Sequence, residues 1–183
     1  KIVDAIKFSI ETLAGIPSII YGLFGYIFFV TVLGFKMSLL SGALTLSIMV
    51  LPTIISTTEE ALKSVPVSYR EGSLALGASK LITIAKVVLP SAIPGILASV
   101  ILSMGRIVGE TAAVYFTAGM AARIPKIMES GRTLSVHLYM LAHEGISFDQ
   151  AFATAAVLLI IIGVLNFTAN KIALGVKKLT TKS

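Results

Sequence analysis

The sequence predicts an all-α integral membrane protein, and three observations lead to that fold class. Of the 183 residues, 56% are hydrophobic and only 13% are charged, and the mean hydropathy is +0.95. No charged residue lies between Glu11 and Lys36, or between Lys36 and Glu59. Both runs exceed the roughly 20 residues that a helix needs to cross the hydrocarbon core, and neither shows the period-two alternation of a barrel strand.

Four spans follow from the apolar runs, and we expect the whole chain, residues 1–183, to form one transmembrane domain. The predicted spans are about 12–35, 37–58, 91–119 and 150–170. A polar loop at about 59–89 separates the second span from the third, and a loop at about 120–149 separates the third from the fourth. The third span differs from the others because it contains Arg106 and Glu110.

The placement of lysine and arginine predicts the orientation of the spans, because positive charge is retained on the cytoplasmic side. Ten such residues lie at the two ends of the chain and in the 59–89 loop: Lys1, Lys7, Lys63, Arg70, Lys80, Lys86, Lys171, Lys177, Lys178 and Lys182. Four lie on the other side: Lys36, Arg123, Lys126 and Arg132. Both ends of this segment are therefore predicted to be cytoplasmic and the 120–149 loop external. The net charge of +6 reflects this topology and does not indicate nucleic-acid binding.

The inner loop is predicted to form two short helices joined at a bend. Pro66 suits the first turn of a helix because it has no N–H to leave unpaired, and helical spacing follows it. Gly77 would cost about 1 kcal/mol inside a helix and is expected at the bend, where a small residue leaves room. Leu89 and Pro90 are expected to mark the turn into the third span. On physical grounds alone, a helix lying on the bilayer surface is an equal alternative.

The spacing of five residues in this loop carries a family resemblance. They are Glu71, Gly77, Val87, Leu89 and Pro90. The pattern resembles the EAA signature, the cytoplasmic loop of permease subunits of bacterial ABC importers, with Gly72 and Ser73 in place of two alanines and Val87 in place of isoleucine. The resemblance implies coupling helices that dock on an ATPase subunit, with Glu71 capping the neighbouring helix or contacting the ATPase. The docking residues that it implies are Glu71, Gly77, Leu89 and Pro90.

Three further stretches resemble the permease subunits of the phosphate ABC importer: residues 13–25, 103–112 and 133–139. The Gly-Glu-Thr-Ala run that begins at Gly109 is more similar to the A-type subunit, PstA, than to its C-type partner, PstC. The resemblance implies a helical bundle of the type I ABC importer permease (MetI-like) class and the movement of inorganic phosphate into the cytoplasm. Members of this branch are six-span proteins, and the chain begins at Lys1 without a methionine, so we expect four spans of an N-terminally truncated protein.

The resemblance also implies the partners of such a permease. They are a second, PstC-like permease subunit, two copies of an ATPase subunit, an extracytoplasmic phosphate-binding protein and membrane lipid, in the inner membrane of a bacterial or archaeal cell. ATP and Mg would bind to the ATPase, so this chain is expected to bind no cofactor and not to be an enzyme. The run from Gly72 to Gly77 agrees with this expectation, because Ala78 and Ser79 replace the Lys-Ser/Thr of a P-loop.

Arg106 and Glu110 are the candidate residues of the substrate path. An arginine at the centre of a span costs about 3 kcal/mol, whereas an ion pair one helical turn apart returns only about 0.2 to 0.5 kcal/mol. A guanidinium offers a fork of donors to an oxyanion, which favours a role in the path, and a structural salt bridge at a subunit interface is the alternative. Gly105 and Gly109 form a GxxxG pair, which predicts close helix packing within the permease pair.

Other classes of protein stay open on the sequence alone. A permease for molybdate, sulfate or phosphonate would carry similar charges, and a secondary transporter or channel would share the intramembrane charges but not the EAA-like loop. A membrane enzyme that uses Glu110 with His137 or His143 lacks a second acid at the same depth. No metal site is expected, because the chain has no cysteine and its two histidines lack a metal-binding spacing.

Overall fold

The computed structural model describes the backbone of residues 1–180 and the side chains of residues 1–173. Lys182 and the side chains of Lys177 and Lys178, which were counted above for the orientation, lie outside the described part. Within that part the chain is helical and has no strand. The helices are α1 (Ile2–Ala14), α2 (Ser18–Gly25), α3 (Leu39–Lys63), α4 (Val67–Ala75), α5 (Lys80–Thr83), α6 (Leu89–Gly109), α7 (Ala112–Thr117), α8 (Leu134–His143) and α9 (Phe148–Thr180). The described part of the chain also has two π-helical segments. Tyr26–Val32 continues α2, and Ile84–Val88 joins α5 to α6.

Three helices are long and apolar enough to cross a membrane: Leu39–Lys63, Lys80–Gly109 and Phe148–Ala173. A fourth candidate is the pair Ile2–Ala14 and Ser18–Val32, which is bent by 97°. These helices confirm the predicted fold class, an all-α membrane protein. The predicted range 37–58 overlaps α3 and the predicted range 150–170 lies inside the longer α9, whereas the other two predicted ranges include a helix break or end at a different place.

The first predicted range differs because a helix break lies inside it. The sequence predicted a span from about residue 12, but α1 ends at Ala14 and the next helix begins at Ser18. Pro17 lies at the N-terminal cap of α2, and a proline disfavours the helical conformation of the residue before it. The Tyr21 hydroxyl donates a hydrogen bond of 2.9 Å to the carbonyl of Leu13 in the last turn of α1, which stabilises the break.

The third predicted range differs at both ends. We expected the span to begin after the Leu89-Pro90 turn, but the helix runs from Lys80 to Gly109 with Pro90 inside it. The π-helical segment Ile84–Val88 explains why the helix continues through Pro90. In a regular α-helix the proline ring would clash with the carbonyl four residues earlier, and the wider π-helical turn lies at that place. The Leu89 N–H pairs with the carbonyl of Ile84, five residues back, as a π-helix requires. At the other end the helix stops at Gly109, and α7 is a separate element.

The chain forms two compact units. Among the described residues, the first contains 1–52 and 104–164, and the second contains 53–103 and 165–180. In the first unit, α2 packs closely on α7, since a Cβ built at Gly22 would lie 2.9 Å from the Ala113 Cα. Only glycine permits such an approach between two backbones. The core of this unit is built from Val114, Ala118 and Val136, with Leu46, Tyr115 and Met140 packed against them.

The first unit also buries a group of hydroxyl side chains at the start of α3. Ser38, Ser41 and Thr45 are almost completely inaccessible to solvent. The Ser41 hydroxyl donates to the carbonyl of Lys36 at 2.9 Å, and the Thr45 hydroxyl donates to the carbonyl of Ser41 at 2.8 Å. Ser38 and Ser41 share a further hydrogen bond between their hydroxyls. Each hydroxyl therefore has a partner within the chain, as buried polar groups require.

The second unit has a smaller core where the end of α3 packs on the start of α6. Ala61, Val65, Val88 and Ala92 are buried there, and Leu62 and Ile96 pack against them. A Cβ at Gly95 would lie 2.7 Å from the Ala61 Cβ, so these two helices are in close contact. This pair of helices carries α4 and the bend described next.

Candidate functional site

The coupling segment, residues 64–88, contains the bend that the sequence predicted. α4 ends at Ala75, and Gly77 has φ of +85° in the left-handed region. The Gly77 N–H bonds the carbonyl of Leu74 at 3.0 Å, and the Ala78 N–H bonds the carbonyl of Ser73 at 3.2 Å. These two bonds form a Schellman motif, in which a glycine commonly ends a helix.

The reason for a glycine at the bend differs from the one that the sequence suggested. We expected Gly77 to leave room for neighbouring atoms, but a Cβ built at this position meets nothing within 4 Å. The requirement lies in the backbone, because an L-residue with a side chain is strained at positive φ. Directly after the bend, Ser79 caps α5, since its hydroxyl accepts a hydrogen bond from the Ile82 N–H at 3.4 Å.

Arg70, and not Glu71, makes the polar contact between α4 and the end of α3. The Arg70 Nη2 donates a 2.8 Å hydrogen bond to the carbonyl of Leu62, which lies in the last turn of α3. The Glu71 carboxylate is exposed and has no hydrogen bond or ion pair within the part of the chain that the structure describes. Within the described residues Glu71 therefore caps no neighbouring helix, and contact with an ATPase stays a prediction for this residue. The sequence missed Arg70 because the contact joins two different helices.

The outer face of the coupling segment is apolar and exposed. Leu76, next to the bend, is 91% exposed, and Leu81 is 79% exposed. Tyr69 is exposed as well, and so are Val67, three residues before Arg70, and Leu89, which directly follows the segment. Large exposed apolar side chains in a segment between two spans indicate contact with another molecule. Pro90 lies farther along, inside the continuous helix and only partly exposed.

A groove of about 410 Å³ lies on the inner side of α4. Its lining residues are Leu62, Arg70, Leu74, Lys80, Thr83, Ile84 and Val88. Above it, the hydroxyls of Ser73 and Thr83 are 3.0 Å apart and share a hydrogen bond that connects α4 with α5. One face of α4 carries Arg70, Ser73 and Leu74, which are three or four residues apart. This face contacts α3 and α5.

Arg106 lies near the end of a long helix and not at its centre, which corrects the sequence interpretation. It is exposed and belongs to the last turn of α6. The continuous helix Lys80–Gly109 has 30 residues. The first part of this helix, as far as Val88, belongs to the coupling segment, and at 1.5 Å per residue Arg106 is about 10 Å from the midpoint of the remaining part, Leu89–Gly109. Its cation also complements the negative end of the helix dipole, so insertion costs less than for a central arginine.

Glu110 is not one turn farther on the same helix, as we had expected, because α6 ends at Gly109. The Glu110 Oε1 accepts a hydrogen bond of 3.1 Å from the Ala113 N–H in the first turn of α7. Its main-chain carbonyl accepts a 2.8 Å bond from the Ser135 hydroxyl in α8. A carboxylate at the start of a helix satisfies an unpaired N–H and the local dipole. Glu110 therefore joins three helices of the first unit.

The sequence predicted close helix packing at Gly105 and Gly109. Within the described part of the chain, no other helix approaches Gly109 closely. A Cβ at Gly109 would meet no atom of that part within 4 Å. Among the described residues, glycines with close contacts to another segment include Gly22, Gly25, Gly42 and Gly95. Packing of the GxxxG pair against another subunit stays a prediction.

The two histidines lie in α8 and do not form a metal site with other residues. Among the described residues, no group of three or more histidine, cysteine, aspartate or glutamate side chains could hold a metal ion. The His137 Nδ1 is buried without a hydrogen-bond partner, and burial and the nearby Arg132 cation lower the pKa of this residue. The His143 ring stacks on Tyr139, with 5.0 Å between the ring centroids.

Three or four apolar spans and a bent, exposed segment between two of them define a multi-pass membrane protein of the permease type. Residues 1–174 match the family described as binding-protein-dependent transport system inner membrane component, and the chain belongs to this family. The structure is similar to a chain of the MetNI methionine ABC transporter, with a TM-score of 0.77 over 96% of this chain and 76% of that one, at 22% identity. The fold is that of a type I ABC importer permease, as the sequence predicted.

The comparison with curated proteins also confirms the resemblance to phosphate permeases. The probable ABC transporter permease protein YqgI of Bacillus subtilis is 37% identical over 98% of this chain and 67% of its own length. The phosphate transport system permease protein PstA 1 of Mycobacterium tuberculosis is 36% identical over 90% of this chain. This chain spans 56% of that PstA 1 and 27% of the PstA homolog of Mycoplasma pneumoniae. The chain therefore matches only part of the length of these relatives.

Proposed function

We propose that this chain belongs to the transmembrane permease subunit of an ABC importer that moves inorganic phosphate into the cytoplasm. The observation that carries the proposal is the 36% identity to PstA 1 over 90% of the chain. ATP hydrolysis would take place on two copies of a separate ATPase, so the chain itself would not be an enzyme and would bind no nucleotide. A PstC-like second permease and an extracytoplasmic phosphate-binding protein would complete the assembly in the inner membrane.

The coupling segment is the proposed docking site for the ATPase. Its exposed apolar residues, among them Leu76 and Leu81, need a partner surface, and Glu71 is exposed beside them. Gly77 sets the direction of the chain at the bend, and Leu89 and Pro90 begin the long part of α6. The lysine and arginine distribution supports a cytoplasmic location of this segment and of both chain ends.

Arg106 and Glu110 are the proposed residues of the phosphate route. Both lie where α6 ends, and the exposed guanidinium of Arg106 can bind an oxyanion through parallel N–H donors. Glu110 would act through its position at the start of α7 and through its charge. Arg106→Gln should strongly reduce uptake without loss of assembly, and Arg106→Lys should restore uptake only in part. If Arg106→Gln prevents assembly and a charge swap on another helix restores it, the residue forms a structural salt bridge.

Uptake by the full complex tests the substrate. Membrane vesicles that contain the complex and the external binding protein are given labelled phosphate or labelled sulfate, with ATP inside or absent. We expect ATP-dependent accumulation of phosphate and none of sulfate. Accumulation of sulfate, molybdate or phosphonate with no uptake of phosphate would contradict the proposed substrate and favour a permease for that oxyanion.

A further inference from the structure

We propose that Arg70 is a positioning residue that holds the coupling helix α4 rigidly to the end of α3, so that movement imposed on α4 is transmitted to the membrane helices. The proposal rests on the proposed function of the coupling segment. It concerns a residue that faces away from the proposed docking surface. It assigns to Arg70 the transfer of motion, and not the binding of the ATPase.

The first evidence is the contact that Arg70 makes. Its Nη2 donates to the carbonyl of Leu62, in the last turn of α3, at 2.8 Å. The last four carbonyls of a helix have no partner within the helix, and a cation is favoured at this end. A hydrogen bond from a charged donor is about twice as strong as one between neutral groups. Arg70 therefore connects α4 to α3 at the point where α3 most readily accepts a partner.

The second evidence is the arrangement of contacts around α4. Arg70 and Ser73 lie three residues apart and hence on the same face of the helix. Arg70 contacts α3, while the Ser73 hydroxyl contacts Thr83, a residue that is 3% exposed, at 3.0 Å. Between these two polar contacts lies the groove, whose lining includes Leu74 of α4 and Ile84. The two hydrogen bonds connect α4 with α3 and with α5.

The third evidence is the separation of this face from the proposed docking surface. Leu76 and Leu81 are exposed on the outside of the segment. Glu71, the next residue after Arg70, is exposed as well. A change at Arg70 therefore leaves the docking side chains in place and affects the contact with α3. The expected defect is loss of coupling with retention of ATPase binding.

The test compares Arg70→Met with Lys86→Met in the complete reconstituted transporter. Methionine keeps an unbranched apolar stem of similar length and removes the donors, so packing at the groove changes little. Lys86 is exposed, and its replacement removes the same charge from the same segment.

We measure copurification of the ATPase, its hydrolysis rate, and labelled phosphate taken up per ATP hydrolysed. Arg70→Met should retain copurification and hydrolysis but lower uptake per ATP by roughly tenfold or more, the factor expected for one lost charge-assisted hydrogen bond. Lys86→Met should behave as wild type.

A cross-link provides an independent arm. The chain has no cysteine, so Ser73→Cys with Thr83→Cys introduces the only pair in this chain, at positions whose hydroxyls are 3.0 Å apart. The oxidised pair fixes α4 to α5 and not to α3, so in the Arg70→Met background uptake per ATP should stay low whether the pair is oxidised or reduced. Restoration of uptake by the disulfide would overturn the assignment of this role to the contact between Arg70 and α3.

Two other outcomes would overturn it as well. Unchanged uptake per ATP in Arg70→Met would show that the contact transmits no motion. Parallel loss of copurification, hydrolysis and uptake would indicate a role in docking. If Arg70→Met does not assemble, Arg70→Gln takes its place in the comparison, because glutamine is polar but too short to reach Leu62. Uptake per ATP equal to wild type in Arg70→Gln would refute the proposal. Absence of phosphate uptake by the wild-type complex would instead refute the proposed function.

Discussion

Replacement of Gly77 decides whether the bend requires space or a backbone conformation. Two glycines lie five residues apart in the coupling segment, and a Cβ at either one meets nothing within 4 Å. Gly72 lies inside α4 with ordinary helical geometry, whereas Gly77 has φ of +85°. The two positions are therefore a matched pair that differs in backbone conformation and not in available volume.

The magnitudes follow from these conformations. A side chain at positive φ costs roughly 1 to 2 kcal/mol, and the lower entropy of the unfolded chain returns part of it, so Gly77→Ala should lose about 1 kcal/mol. Gly72→Ala should gain about 0.5 to 1 kcal/mol, because alanine is the better helix former. Gly77→Asn should lose less than Gly77→Ala, since asparagine tolerates the left-handed region. Gly77→Leu should lose about as much as alanine, because its side chain projects into open space.

Thermal unfolding of the purified variants in detergent measures these differences. For a chain of this size, 1 kcal/mol corresponds to a Tm change of about 2 to 4 °C. The expected order of Tm is Gly72→Ala above wild type, then Gly77→Asn, then Gly77→Ala together with Gly77→Leu. A Tm that falls steadily with side-chain size at position 77, or an equal loss for Gly72→Ala, would refute the reasoning from backbone conformation.

Three further predictions concern packing, pH and orientation. Gly25→Ala should destabilise the protein by about 1 to 3 kcal/mol in the same Tm assay, because its methyl group would overlap the buried side chain of Thr45. An unchanged Tm would mean that α2 and α3 separate easily. Burial lowers the pKa of His137 from its ordinary 6.5, so the unfolded chain binds a proton first and stability should fall as the pH drops below that value. His137→Gln should flatten this part of the profile of Tm against pH. A cysteine at Lys126 should react with a membrane-impermeant maleimide in intact cells, and a cysteine at Lys86 only after permeabilisation; equal labelling of both would contradict the orientation.

Sequence reasoning predicted the features that depend on composition and on single residue types. The apolar runs of α3 and α9 exceed the bilayer thickness, so their existence follows from hydropathy alone. The bend at Gly77 follows from a glycine in a helical pattern, although the reason for it lies in φ and not in space. These features are local, and their physics can be read from neighbouring residues.

The features that sequence reasoning missed depend on contacts between elements or on backbone geometry. Arg70 contacts Leu62 only because α4 folds back on the end of α3, and no spacing rule indicates that contact. Glu110 looked like a charge within a span because the apolar pattern continues past Gly109, whereas the helix ends there and the carboxylate pairs with the next one. Pro90 was expected to start a helix, but the π-helical segment before it lets the helix continue.

The π-helical segment Ile84–Val88 also affects how related chains should be aligned. Bonds from residue i to i+5 place about one residue more in the turn than an α-helix would. The turn lies between Gly77 and the Leu89-Pro90 pair, so the residue count that separates these motif positions includes that extra residue. A relative with a single deletion here would form a regular α-helical turn and keep the faces of both flanking helices. A relative with one residue fewer in this segment therefore keeps the same architecture. If the two sequences are aligned without a gap here, every residue of the following helix is paired with the wrong residue of the relative.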